Sequence, residues 1–123
     1  MKYLKQISPL AFIFLLSLVT VTPFLHAGFF PIHDNTQVQR VFEMAKSLNS
    51  GMFPVRWVAD LGFGFGYPIF NFYAPLAYYI GSIINILGFD PLFSTKLMMV
   101  LGIIISGLQC IFWQKKFGES SEE

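Results

Sequence analysis

Two long stretches of this sequence carry no formally charged side chain, residues 6–32 and residues 61–89. A chain of 123 residues has too little interior to hide both from water. A lipid bilayer accepts them readily, at about 20 apolar residues for each helical crossing. Composition agrees, since 12% of the residues are charged, against roughly 25% in soluble domains. Mean hydropathy is +0.59. The expected class is therefore an all-α integral membrane protein with about three transmembrane helices. A net charge of +1, with no basic stripe interleaved with aromatics, argues against nucleic acid as a partner. Cys110 is the single cysteine, so an intrachain disulfide framework is excluded.

The first crossing is expected within residues 1–30, after Lys2 and Lys5, with Pro23 kinking or ending its apolar core. The same basic start and short apolar run, followed by Leu25-His26-Ala27, also fit a cleaved secretory signal. The retained helix is preferred, because later segments hold the chain in the membrane anyway. The second crossing is expected at residues 68–89, opening on Tyr67, Phe70, Phe72, Tyr73, Tyr78 and Tyr79, rings suited to the headgroup level. The third is expected at residues 97–114, closed by Trp113, Lys115 and Lys116, with residues 90–96 as a tight connection and 115–123 as a polar tail. Gly102, Ser106 and Gly107 either admit a neighbouring helix or reflect ordinary glycine usage in membrane helices. With the N-terminus cytoplasmic, three crossings place Lys2, Lys5 and Lys96 inside and Arg40, Lys46, Arg56, Lys115 and Lys116 outside. A plain count favours the reverse, but the signal-like first helix usually dominates, so a cytoplasmic N-terminus is expected.

Residues 31–67 form the polar loop. A helix is predicted over 34–49, capped by Asp34, with Gln37 completing a capping box. Val38, Val41, Phe42, Ala45 and Leu48 share one face, and Gln39, Arg40, Glu43, Lys46 and Ser47 the other. Gly51 terminates it and Pro54 prevents continuation. Such a helix, tied to spans at both ends, is expected to lie flat at the membrane interface. In residues 52–68, Gly62, Gly64 and Gly66 alternate with Phe63, Phe65 and Tyr67. Their spacing matches neither a dinucleotide fingerprint nor a phosphate-cradling loop, so no nucleotide is expected. The segment reads as a packed re-entry loop, or as backbone close to a ligand with Arg56 offered to phosphate. Asp34 is a capping residue on one reading. On the other it takes a proton from a hydroxyl or binds a cation. His26 and His33 are too few and too loosely placed for a metal site, and His33 reads as an interfacial polar residue.

The string His33-Asp34 with Gln37 and Arg40, then residues 51–57 (GMFPVRW) and 62–76 (GFGYPIFNFYAPL within it), resembles a bacterial membrane family. That family is labelled 6-pyruvoyl-tetrahydropterin synthase-related and is similar to the GT-C glycosyltransferases. The resemblance covers nearly the whole chain but only the beginning of the longer family members. It implies an N-terminal portion of a transferase of the bacterial inner membrane that uses a polyprenyl-phosphate-linked sugar donor. By position, Asp34 matches the acidic residue after the first span, implying a general base or, in some members, a divalent-cation ligand. Arg56, Asn71 and Tyr73 match family-typical positions and are candidate substrate-binding residues. The pterin label implies no pterin here, since the soluble synthase of that name needs a three-histidine zinc site and this chain has 2 histidines. Alone, the segment is expected to be inactive, its donor site needing the remaining helices of a longer chain or partner. A non-catalytic small multi-pass membrane protein is the other expectation.

Overall fold

The computed structural model describes residues 2–29 and 34–119, and those residues are helical, without a β-strand. Helix α1 (Lys2–Val21) runs into a 3-10 turn (Thr22–Leu25) that holds Pro23, as the sequence predicts. Helix α2 (Gln37–Asn49) lies in the polar loop. A second 3-10 turn (Ile69–Asn71) precedes helix α3 (Leu76–Ile86), and helix α4 (Pro91–Glu119) ends the chain's described part. The chain divides into two compact units, one of Met1–Phe30 with Met99–Glu123 and one of Pro31–Met98.

In the first unit the outer surface is apolar. Phe12, Phe14, Leu15 and Val19 of α1 are each at least 60% exposed. Its hydroxyls need no solvent, because Ser17 donates to the Ile13 carbonyl at 2.8 Å and Thr20 to that of Ser17 at 2.9 Å. Side chains that return to their own backbone leave a helix surface compatible with lipid. Helix α4 approaches α1 at Gly107, where a Cβ would stand 3.4 Å from Ile13, whereas Gly102 faces open space. The stretch Pro91–Trp113, 23 residues containing Lys96 as its one formal charge, is long and apolar enough to cross a membrane. It is the one helix among the described residues that meets this test.

The second unit corrects two boundaries. Residues 68–89 do not form one spanning helix. Pro75 cannot supply an amide to an earlier turn and disfavours helical backbone at Ala74, so the aromatic stretch folds as a turn and α3 begins at Leu76. Its 11 residues extend about 16 Å, roughly half of a bilayer's apolar core. The connection to α4 is also shorter than 90–96. Gly88, at φ +102°, donates to the Asn85 carbonyl at 3.0 Å, and Asp90 caps α4 by accepting from the Leu92 amide at 2.9 Å, with Pro91 in the first helical position.

The face of α2 expected to rest on lipid packs against protein instead. Val41 and Met44 are fully buried, and the absent side chain of Gly81 lets α3 come against Val41. Ser82 seals the crossing by donating to the Val41 carbonyl at 3.0 Å. Arg40 and Glu43, expected on the solvent face, are each only 6% exposed, while Phe42 is turned outward. The C-terminus of α2 follows the sequence reading. Gly51 adopts φ +85° and donates to the Leu48 carbonyl, and Met52 donates to that of Ser47. These two bonds make a Schellman motif.

Burial, and then the negative charge of Asp60, push the Glu43 carboxyl up, against the opposing pull of Lys46. A carboxyl whose folded pKa is raised contributes most when protonated, below its unfolded pKa, and that contribution is lost as pH rises through its folded value. Glu43→Gln is therefore expected to raise the unfolding midpoint of the detergent-solubilised protein at pH 7 and to leave it unchanged near pH 4.

Candidate functional site

Asp34 heads the second unit, but it is not the N-cap of α2. That position belongs to Thr36, whose own side chain makes no capping bond. Asp34 sits two residues earlier and accepts from the Thr36 amide at 3.2 Å and the Thr36 hydroxyl at 2.5 Å, both through Oδ1. This is an aspartate turn that orients the chain into the helix. The expected capping box is replaced by a longer reach, in which Gln37 Nε2 stands 3.5 Å from Oδ2.

Oδ2 also accepts from Arg40 Nη1 at 2.8 Å. The Arg40 guanidinium lies 4.2 Å above the Tyr73 ring, a cation–π contact, and Nη1 donates to the Tyr78 hydroxyl at 3.2 Å. Tyr78 in turn donates to Gln37 Oε1 at 2.7 Å. Asp34, Arg40, Tyr78 and Gln37 thus close a ring of polar contacts, floored on one side by Tyr73. Arg40 Nε is buried and has no acceptor among the described residues.

The Thr36 hydroxyl, the Thr36 amide and then the Arg40 charge hold the Asp34 carboxyl below its ordinary value, although burial pulls the other way. The group is therefore an ionised carboxylate at neutral pH, with its side chain 32% exposed. Each oxygen already has two donors. For another hydroxyl to bind there, a donor must give way, and Gln37 makes the longest contact.

A divalent cation does not fit this arrangement. Asp34 is the one carboxylate in the ring, and no group of three or more histidine, cysteine, aspartate or glutamate side chains gathers among the described residues. His33 lies outside the described residues.

Of the residues expected to bind substrate, Tyr73 joins Asp34 through Arg40. Arg56 and Asn71 are exposed, and no side-chain hydrogen bond or ion pair holds either to the ring. Arg40, Gln37 and Tyr78 complete the site; the sequence offered Gln37 only as a capping-box partner of Asp34 and gave Arg40 and Tyr78 no role there. Helical spacing put Arg40 on the solvent face, and its tyrosine partner lies 38 positions further along the chain. The local signals were the capping-box spacing of Asp34 and Gln37 and an acid and a base, Asp34 and Arg40, six residues apart across the helix start. No protein-family model, curated protein or solved structure matches this chain.

Proposed function

We propose that this chain is the front end of a GT-C-like membrane glycosyltransferase, with Asp34 as the residue that receives the proton of an acceptor hydroxyl. The observation that supports this reading is the ionised Asp34 carboxylate, fixed by Thr36 and Arg40 at the head of the loop unit and still partly open to solvent. In the transfer, the acceptor oxygen attacks the anomeric carbon of a polyprenyl-phosphate-linked sugar. The bond from that carbon to the phosphate oxygen breaks and the lipid phosphate leaves with its electron pair. Asp34 takes the hydroxyl proton as the oxygen loses it. An acceptor hydroxyl replaces Gln37 at Oδ2, while Arg40 and Thr36 keep the carboxylate oriented. The donor site is completed by helices of a longer chain or a partner.

The alternative is a non-catalytic membrane protein in which Asp34 only anchors the loop, and the four donors around its carboxylate favour it. Sugar transfer by native membranes containing the chain, supplied with polyprenyl-phosphate-linked sugars, separates the two. A general base contributes on the order of 10²–10⁴ in rate. Asp34→Asn is expected to lose transfer by at least about a hundredfold. Arg40→Met, which breaks the same ion pair but leaves the carboxylate, is expected to lose much less. Equal losses in the two variants, or none, assign Asp34 to the anchor.

The membrane arrangement belongs to the same proposal. Helix α4 has the length to cross, and α1, with 20 residues, extends about 30 Å. Helix α3 is too short as built, so we assign two crossings rather than three, with α2 and α3 both in the intervening loop. This assignment moves Lys115 and Lys116 to the side of Lys2 and Lys5, and so removes the basic excess that three crossings put outside. A reporter enzyme fused after residue 123 is expected to be active in its cytoplasmic form and silent in its external form. Three crossings from the same N-terminal orientation give the reverse.

A further inference from the structure

The glycine–aromatic segment expected to be a packed re-entry loop is a closed loop with its rings turned outward. Val58 and Tyr67 exchange both backbone hydrogen bonds, at 3.0 and 2.9 Å, and Gly66 donates to the Leu61 carbonyl at 2.9 Å. Gly62, Gly64 and Gly66 all have positive φ, and a Cβ on Gly66 would overlap the Trp57 indole. The tip is therefore a fixed shape. On it Phe63 is 103% exposed and Phe65 is 88% exposed, the two largest values among the exposed large hydrophobic residues. Phe63 itself has φ +58°, a left-handed conformation that a phenylalanine adopts at a cost. Packing of the ring does not offset that cost, because the side chain is fully exposed.

Charge indicates what the tip meets. Asp60 is neutralised by its ion pair with Lys46. Arg56 is exposed and has no ion pair among the described residues, so it offers a cation near the loop base, whereas Glu43, the other carboxyl close to Asp60, is buried. No acidic residue occurs between 61 and 89. Trp57 and Tyr67, rings with a polar edge, are half-exposed at the base, and the purely apolar rings lie at the tip. Phenyl tip, amphipathic collar and nearby cation follow the order of acyl chains, headgroup boundary and lipid phosphate.

We propose that residues 58–67 form a wedge for an anionic lipid surface. Phe63 and Phe65 enter the boundary between headgroups and acyl chains, and Arg56 pairs with lipid phosphate. This inference does not depend on sugar transfer.

The test uses the full chain with Cys110→Ser, carrying one nitroxide label on Phe63→Cys, Phe65→Cys or, as the reference, Ser50→Cys at the polar end of α2. The proteins are placed in phosphatidylcholine vesicles with and without phosphatidylglycerol. Collision of the label with oxygen, which concentrates in lipid, is compared with collision with a water-soluble nickel chelate. The ratio of oxygen to nickel collisions is expected to be several-fold higher at both tip positions than at Ser50. Arg56→Gln is expected to reduce that difference only where phosphatidylglycerol is present. Nickel access at the tip equal to that at Ser50 overturns the proposal, and so does shielding from both reagents, which marks a protein contact. An unchanged spectrum at Ser50 in Arg56→Gln shows that the unit is still folded, and two tip positions guard against local damage from either substitution.

Discussion

Gly81→Leu is expected to open the junction of α2 and α3 and to lower the stability of the detergent-solubilised protein by about 3 kcal/mol, the upper end for overpacking a filled core. A Cβ alone at this position would lie 2.9 Å from Val41 Cγ2 and 3.1 Å from Met98 Sδ. Met98 is a flexible thioether and can move aside. Val41 cannot, being β-branched and fully buried, with its carbonyl bound to Ser82. Gly81→Ala is a smaller intrusion, and about 1 kcal/mol gained in helix propensity offsets part of its clash. It is expected to be within about 1 kcal/mol of the parent protein. Adding Val41→Ala to Gly81→Leu is expected to restore part of the loss, because it removes the methyl groups that the leucine meets. Denaturant unfolding of the four variants followed by far-UV circular dichroism measures this. Additive losses from Val41→Ala and Gly81→Leu would show that the two positions do not share the space assigned to them.

Local chemistry makes some elements readable in the sequence and long-range packing hides others. Gly51 ends α2 through bonds that reach only a few residues; the Asp90-Pro91 start of α4 is just as local, yet residues 90–96 were expected to be a connection. The 3-10 turn at Pro23 is equally local. The fate of residues 68–89 turned on Pro75, whose effect was visible in principle but was outweighed by the uncharged run around it. Nothing near Arg40 announces its burial, since the tyrosines that receive it lie on and just before α3. Periodicity assumes that a charged residue seeks water, and it fails wherever another element supplies the partners. Asp34 was conspicuous because it follows an apolar run, yet the residue that fixes its chemistry was assigned to the opposite environment. The segment holding Phe63 and Phe65 was expected to be a packed re-entry loop or backbone close to a ligand, and instead both rings are exposed on a loop closed by its own backbone hydrogen bonds.

Asp34→Asn is expected to cost about 2 to 3 kcal/mol, somewhat below the 3–5 kcal/mol typical of breaking a fully buried ion pair, because a third of the Asp34 side chain remains solvated. The loss comes mainly from Arg40, whose charge stays buried at 8% side-chain exposure with two tyrosines but no anion. Arg40→Met is expected to cost less, about 1 kcal/mol, since Asp34 keeps both Thr36 bonds and can turn to water. Once the guanidinium is gone, Asp34→Asn leaves no buried charge behind. The double variant is therefore expected to be no less stable than Asp34→Asn alone, which a double-mutant cycle in detergent measures directly. Acid resolves the remaining share. A carboxyl with a lowered folded pKa contributes stability that is present above its unfolded value, about 3.9, and is lost as pH falls through the folded value. Thr36 is the leading cause of that depression and Arg40 a lesser one. Thr36→Val should accordingly flatten the acid limb of the stability curve more than Arg40→Met does. If Arg40→Met flattens it more, the ion pair governs the Asp34 proton, and the aspartate turn serves only to start the helix.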